Sequence, residues 1–217
     1  MKKAILFGAT GFIGSHLLEE LLNNPAYELV TVVVRKEISL THPKLNILIG
    51  DFHSLRELKS EMIADDVFIT LGTTKKNTPD RTEYYQIDHD YPILASQIAK
   101  ENGAKSVLIV TAMGANENAS IFYSKMKGEV ERDLITLDFD HTHIFQPSMI
   151  LGDRIENRPS EKIFQKITKL INPLLGGKMS KYKGIEGKVV AIAMNNAAKN
   201  STEKVKVYQW KEMIDLQ

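Results

Sequence analysis

Short, nearly unbroken apolar runs alternate along this chain with longer stretches in which apolar residues recur every third or fourth position. The runs at 3–7, 28–34, 45–49, 66–70, 106–111 and 141–145 have the length of strands. Their lack of polar interruption suits strands covered on both faces. The periodic stretches read as helices. Residues 12–23 place Ile13, Leu17, Leu18, Leu21 and Leu22 on one face before Asn23-Asn24-Pro25 stops them. Further helices are predicted over 54–62, with Ser54 as cap, over 88–102, ended by Asn102-Gly103, and over 121–137. Residues 72–81 read as a polar loop. Beyond Pro147 the pattern loosens: helices are expected at 160–171 and 189–198, a strand at 205–209 and a short helix at the end. This β-α-β-α order, with connections too long for hairpins, predicts an α/β fold built on a doubly wound parallel sheet. Residues 1–150 would form its core, and 151–217 a small extension covering the substrate side, all within a single domain.

The first apolar run leads directly into Gly8-Ala9-Thr10-Gly11-Phe12-Ile13-Gly14, which opens the first helix. A strand, a glycine-rich turn and a helix in that order make a phosphate cradle. Gly8 permits the turn, Gly11 admits a pyrophosphate to the backbone, and Gly14 lets helix and strand approach. The helix N-terminus then presents N–H groups to the phosphates. The spacing G-x-x-G-x-x-G predicts a dinucleotide site on a Rossmann fold.

Composition narrows the picture by exclusion. The net charge of +1 provides no field that would recruit nucleic acid or a membrane surface. The absence of cysteine excludes disulfides, thiolate metal sites and cysteine nucleophiles. With no apolar run near membrane-spanning length and no leader-like start, the expected location is cytoplasmic.

Other loops at the carboxyl ends of the strands carry candidate chemistry. Arg35-Lys36 follows the second strand, where a carboxylate would bind a ribose 2′-hydroxyl; guanidinium and ammonium groups instead attract a 2′-phosphate, so NADP(H) is expected over NAD(H). Asp51 could accept from the adenine amino group or could cap the segment after it. Leu71-Gly72-Thr73-Thr74 would let the backbone pass the cofactor. Tyr123 and Lys127 form Tyr-x-x-x-Lys on one helix face. An adjacent ammonium would lower the phenol's pKa and fit it for general acid–base work. His141 and His143 share one side of a strand without an evident third ligand, so no metal site is expected. The basic stretch 178–183 reads as a solvated loop.

The glycine turn and Tyr-x-x-x-Lys, in this order on this pattern, resemble the short-chain dehydrogenase/reductase superfamily. Asp88-His89-Asp90-Tyr91, Leu71-Gly72-Thr73-Thr74, the stretch from Phe122 to Glu131, Asp153-Arg154 and Arg158-Pro159 narrow the resemblance to an atypical branch of it, over essentially the whole chain. The resemblance implies a cofactor site made of Gly8, Thr10, Gly11, Phe12, Ile13, Gly14, Arg35, Lys36, Asp51, Leu71, Gly72, Thr73, Tyr123 and Lys127, with Ile150 and Arg158 closing the nicotinamide side. It implies Tyr123 as proton carrier and Lys127 as its tuner. Two departures stand out. Where typical members hold the substrate carbonyl with a serine, this chain has Thr111-Ala112-Met113-Gly114, and only Thr111 could substitute. The sixth strand ends in Gln146-Pro147, where relatives often have Arg-Pro.

These readings imply an NADP(H)-dependent oxidoreductase acting on a small carbonyl-type substrate. The missing serine keeps an NADP(H)-binding regulator or scaffold in view as the alternative. A sugar-nucleotide epimerase or dehydratase would need a larger C-terminal lobe. A protein partner is compatible with the sequence but not readable from it.

Overall fold

The computed structural model describes residues 1–152, 177–199 and 202–217. Seven parallel strands make the main sheet: β1 (Lys2–Phe7), β2 (Tyr27–Val34), β3 (Leu45–Ile49), β4 (Asp66–Ile69), β5 (Ser106–Val110), β6 (His141–Phe145) and β9 (Val205–Tyr208), in the order β3-β2-β1-β4-β5-β6-β9. A second, two-stranded parallel sheet pairs β7 (Ile150–Leu151) with β8 (Ile185–Glu186). The chain order reverses between β1 and β4, the position at which doubly wound sheets open a ligand crevice.

Successive residues of a strand point to opposite faces, and both faces are covered. In β1, Ala4 and Leu6 join Leu17, Leu21, Val190 and Met194 in one core, on the side of α1 (Phe12–Asn23) and α5 (Gly187–Ala197). Ile5 and Phe7 join Ala95, Ile98, Val130 and Leu134 in the other, under α3 (Tyr91–Glu101) and α4 (Phe122–Thr136). Unbroken apolar strands are the sequence record of this two-sided burial. The described part of the C-terminal region is built into the fold: β9 extends the main sheet beside β6, and α5 packs along α1. The last helix, α6 (Trp210–Asp215), starts from a reciprocal capping box between Gln209 and Glu212.

Two predicted helices differ from those observed. Residues 54–62 form turns with a single 3-10 turn at Lys59–Glu61. The Asp51 carboxylate accepts from the backbone N–H groups of His53 and Ser54 at 2.9 and 3.0 Å, and Ser54 Oγ accepts from the Asp51 N–H at 2.8 Å. Such local side-chain bonds compete with helix formation in a segment too short to nucleate well. The helix expected at 88–102 starts seven residues earlier, as α2 (Arg81–Tyr85), and reaches α3 through a π-helical turn at Gln86–Asp90. Asp80 caps it, accepting from Thr82 N and Glu83 N at 2.9 Å. The helix predicted at 160–171 lies outside the described residues.

Candidate cofactor and active site

The turn after β1 is shaped by contacts that leave no room for side chains. Gly8 has φ +89°, and a Cβ added at Gly14 would lie 2.0 Å from the Gly8 carbonyl oxygen. Helix α1 therefore starts pressed against the turn. Thr70 Oγ1, just past β4, donates to the carbonyl oxygens of Phe7 and Gly8 at 3.1 and 3.2 Å, tying the two crevice-forming strands together. Gly11 is exposed and occupies the N-cap position without a side-chain cap, and the first turn of α1 holds no acidic residue. That leaves a helix N-terminus suited to a pyrophosphate.

Thr10 is exposed beside this turn, where a groove of about 620 Å³ opens between α1 and the segment carrying Ile38, Ser39 and Leu40. Ile13 is buried in the α1-side core, so only its backbone can face a ligand. Phe12 works at longer range. Its ring fills the space beside two glycines, since a Cβ at Gly152 or Gly187 would come within 2.3 or 2.5 Å of it. The N-terminal cradle is thereby pinned to the small β7–β8 sheet. Ile150, in β7, packs against the α1-side core. Arg158 lies outside the described residues.

Arg35 and Lys36 stand exposed just past β2. The Arg35 charge reaches Tyr91, where it opposes burial and Asp51; the balance leaves the Tyr91 phenol pushed up to about 12. Asp51, in the same neighbourhood, is occupied as the turn acceptor described above, and those bonds from Ser54 hold its carboxyl below the usual range.

The reactive half is organised by a residue that the sequence reading did not select. Asp88 is buried at 2% exposure in the π-helical turn. Its Oδ1 lies 2.7 Å from Lys127 Nζ, and its Oδ2 accepts from the Thr73 backbone N–H at 2.8 Å. Gly72 abuts the same carboxylate: a Cβ there would sit 3.5 Å from Oδ1. The loop after β4 and the lysine of α4 are thus joined through one side chain, while Leu71 packs against the α3–α4 core. A π turn inserts a residue into the helix and turns its neighbours to new faces, a device frequent at functional sites. Here Asp88 meets Lys127, while His89 stands between Asp90 Oδ1 and Asp133 Oδ2, at 2.8 and 2.9 Å. The signal for the earlier helix start, and hence for the position of Asp88, was Asp80-Arg81-Thr82-Glu83, a D-x-x-E start pattern.

Tyr123 and Lys127 occupy successive turns of α4, which Gly128 lets the residue 115–119 segment cross: a Cβ there would lie 2.1 Å from Glu117 N. Lys127 is only 4% exposed, and its pairing with Asp88 changes the expected electrostatics. Tyr123 keeps 40% of its surface open, but protein crowds its hydroxyl. Burial, followed by the Asp88 charge, pushes its pKa up to about 12. The expected lowering by Lys127 is thus not found, because Asp88 meets the ammonium.

Thr111 is also placed differently from the expectation. It is buried at 5% exposure, and its hydroxyl donates to Glu131. Its proton is committed to a carboxylate rather than held for a substrate oxygen. His143, on β6, has Nδ1 2.8 Å from the Tyr208 hydroxyl; burial, then His141, pushes its pKa down to about 4. Among the described residues, no group of three or more His, Asp or Glu could hold a metal ion, and no helix is long and apolar enough to cross a membrane.

The comparisons with known proteins agree with this geometry. Residues 8–163 match the model of a family described as NAD(P)H-binding. The chain is 33% identical to protein FMP52, mitochondrial, of Candida glabrata, over 93% of this chain and 87% of that protein. It is 31% identical to protein HTATIP2 of Rattus norvegicus, over 76% and 69% respectively. Among solved structures, the Bordetella bronchiseptica enzyme WbmH in complex with NAD+ superposes with a TM-score of 0.72 at 18% identity, covering 96% of this chain and 76% of that one. A UDP-glucose 4-epimerase of Thermotoga maritima, solved with UDP-glucose, gives 0.71 at 14% identity over 95% and 76%. At such identities the structural likeness concerns the Rossmann fold alone. The cytoplasmic expectation is corrected: the FMP52 relatives carry the word mitochondrial in their names. The lack of a membrane-length apolar run and of a leader-like start, on which the expectation rested, does not fix a compartment. The chain belongs to the NAD(P)H-binding, short-chain dehydrogenase/reductase-like Rossmann family that includes the FMP52 and HTATIP2 proteins.

Proposed function

We propose that this protein is an NADP(H)-dependent oxidoreductase that reduces a small carbonyl-type substrate, with Tyr123 as the proton donor. The observation that carries the reading is the arrangement on α4. Tyr123 is partly open, and one turn behind it Lys127 is held by the buried Asp88. A bound nicotinamide supplies hydride chemistry; the chain supplies binding, orientation and the proton. With its pKa near 12, Tyr123 holds its proton at neutral pH, the state required of an acid that protonates a developing alkoxide. Lys127, fixed by Asp88, lies on the face where the resulting phenolate would form. Arg35 and Lys36 support NADP(H) over NAD(H), because both are exposed cations beyond β2 and beside the turn.

A panel of carbonyl compounds with NADPH oxidation as readout tests the activity. Turnover by the native chain, its loss in Tyr123→Phe and unchanged NADPH binding in that variant are expected. Turnover that survives the substitution removes Tyr123 from the reaction. Fluorescence titration with NADPH and NADH tests the cofactor preference. Equal affinities would remove the role given to Arg35 and Lys36.

A second reading, a nucleotide-binding regulator with little turnover, is favoured by one observation. Thr111 gives its hydroxyl to Glu131, and Ala112 and Met113 follow it, so residues 111–113 leave no free hydroxyl for a substrate carbonyl. Tight NADPH binding with no oxidation across the panel would support this reading over the first.

A further inference from the structure

The bond between Asp88 and Lys127 has a counterpart one helical turn nearer the open end of the site. The helical run from Arg81 to Glu101 connects β4 to β5, and α4 connects β5 to β6. Both cover one face of a parallel sheet, so they run side by side in the same direction. Asp88 and Lys127 join them at 2.7 Å. Four residues earlier on each helical run, and so on the same faces, stand Tyr84 and Tyr123. A ring contact fixes the level: Tyr84 meets Phe122, the neighbour of Tyr123, edge-on with centroids 5.9 Å apart. Helical side chains lean toward the helix N-terminus, and here both N-termini lie at the carboxyl ends of the strands, where the crevice opens.

Tyr84 is 8% exposed, yet its hydroxyl makes no hydrogen bond to any group among the described residues. Buried polar groups are nearly always paired, and one left over in a native fold calls for a reason. Asp88, the acid one turn away, gives its oxygens to Lys127 and to the Thr73 N–H instead. The reason lies at the end of β5. Thr111, which stands where a substrate-holding hydroxyl is expected, donates to Glu131. The site has a donor without an acceptor on one side and a missing donor on the other.

We propose that Tyr84 is the second hydroxyl of the site: its O–H donates to the substrate's carbonyl oxygen while Tyr123 protonates that oxygen. The proposal rests on the reading of Tyr123 as the proton donor. A carbonyl oxygen has two lone pairs and accepts from both phenols. The carbonyl carbon receives the hydride and its oxygen receives the Tyr123 proton, so the step balances with Tyr84 contributing only a hydrogen bond. Burial, followed by the charges of Asp88 and Tyr123, raises the Tyr84 pKa, which keeps it a donor after Tyr123 has given up its proton.

The test is Tyr84→Phe, which keeps the ring against Phe122 and removes only the hydroxyl. On a carbonyl compound that the native chain reduces, kcat/KM should fall about tenfold to a hundredfold, the loss of one preorganised donor. The loss should show in kcat as well as KM, because the bond strengthens as negative charge develops on the oxygen. NADPH affinity should be unchanged. Tm should hold or rise, since no protein group loses a partner, whereas removing a structural hydroxyl would lower it. Thr111→Val should do the opposite, lowering Tm and leaving kcat/KM largely unchanged. Unchanged kcat/KM in Tyr84→Phe, a lowered Tm in that variant, or a loss of kcat/KM confined to Thr111→Val overturns the proposal. With native turnover intact, each of those results leaves the role of Tyr123 standing. A native chain that reduces no member of the carbonyl panel removes the oxidoreductase reading and the role of Tyr84 together.

Discussion

The two halves of the site are built from different material. The cradle after β1 is made by what its residues lack: Gly14 has no Cβ to hold the Gly8 carbonyl away, and α1 has no side-chain cap and no acid in its first turn. The half around α4 is made by what its residues carry, with Asp88 paired to Lys127 and Glu131 accepting from Thr111 and Gln146 in a partly dry setting. Shape fixes the first and electrostatics the second. A cradle of backbone tolerates almost no added volume. A site of charges tolerates changes of shape better than changes of charge.

Adding volume to the cradle should have the largest effect, because it removes cofactor binding as well as stability. Gly14→Ala drives a methyl group into the Gly8 carbonyl, a clash with backbone that has no flexible end to yield. A loss of about 3 kcal/mol or more is expected, together with loss of the thermal shift given by NADPH. Thermal unfolding with and without NADPH measures both, and unchanged NADPH binding would contradict the backbone reading of the cradle. Next comes removal of a charge from the other half. Asp88→Ala leaves the Lys127 ammonium buried without its partner and should cost about 3–5 kcal/mol in denaturant unfolding. The double variant with Lys127→Met should recover part of that loss, because the orphaned charge is gone. An additive result would deny the coupling on which the contrast between the halves depends.

Asp51 gives the smallest effect and marks the boundary between the two kinds of construction. Its Oδ1 is committed to the turn, so Asp51→Ala should lower Tm slightly and leave NADPH affinity unchanged. A marked loss of affinity would instead assign Asp51 to the adenine. Its carboxyl pKa is lowered in the folded chain, so the contribution of this turn is present above the unfolded carboxylate pKa. It fades as pH falls through the lower folded value. Tm of the native and Asp51→Ala chains should therefore converge in acid.

The same contrast explains what could be read in advance. Backbone-built features follow from local composition: the glycine turn, the unbroken strands and the helix after them were legible because each is encoded within a few residues. Strands β7 and β8 were not, being two residues each and paired across an interval of more than thirty positions. Asp88 and Glu131 escaped for another reason. An acid in a helical stretch reads as a solvent-facing charge until the fold shows what surrounds it. The effect of Lys127 on Tyr123 was misread for the same cause, since a lysine one turn away implies a lowered phenol pKa only if nothing else claims the ammonium. Thr111 was correctly placed at the end of β5, but its direction depended on a partner twenty residues later.

Phe12 has a consequence for how the protein is made. Its ring lies against Gly152 and Gly187, α5 packs along α1, and the last strand of the main sheet ends at Tyr208. The cradle is made from residues 8–14, yet Gly152 and Gly187, which close over Phe12, leave the ribosome 140 and 175 residues after it. A nascent chain several strands long would expose a greasy first helix and an unfinished nucleotide pocket until those later elements emerge. Such long-range closure slows folding and lengthens exposure to aggregation. Truncated chains ending before residue 187 would therefore be substrates for chaperones rather than binders of nucleotide.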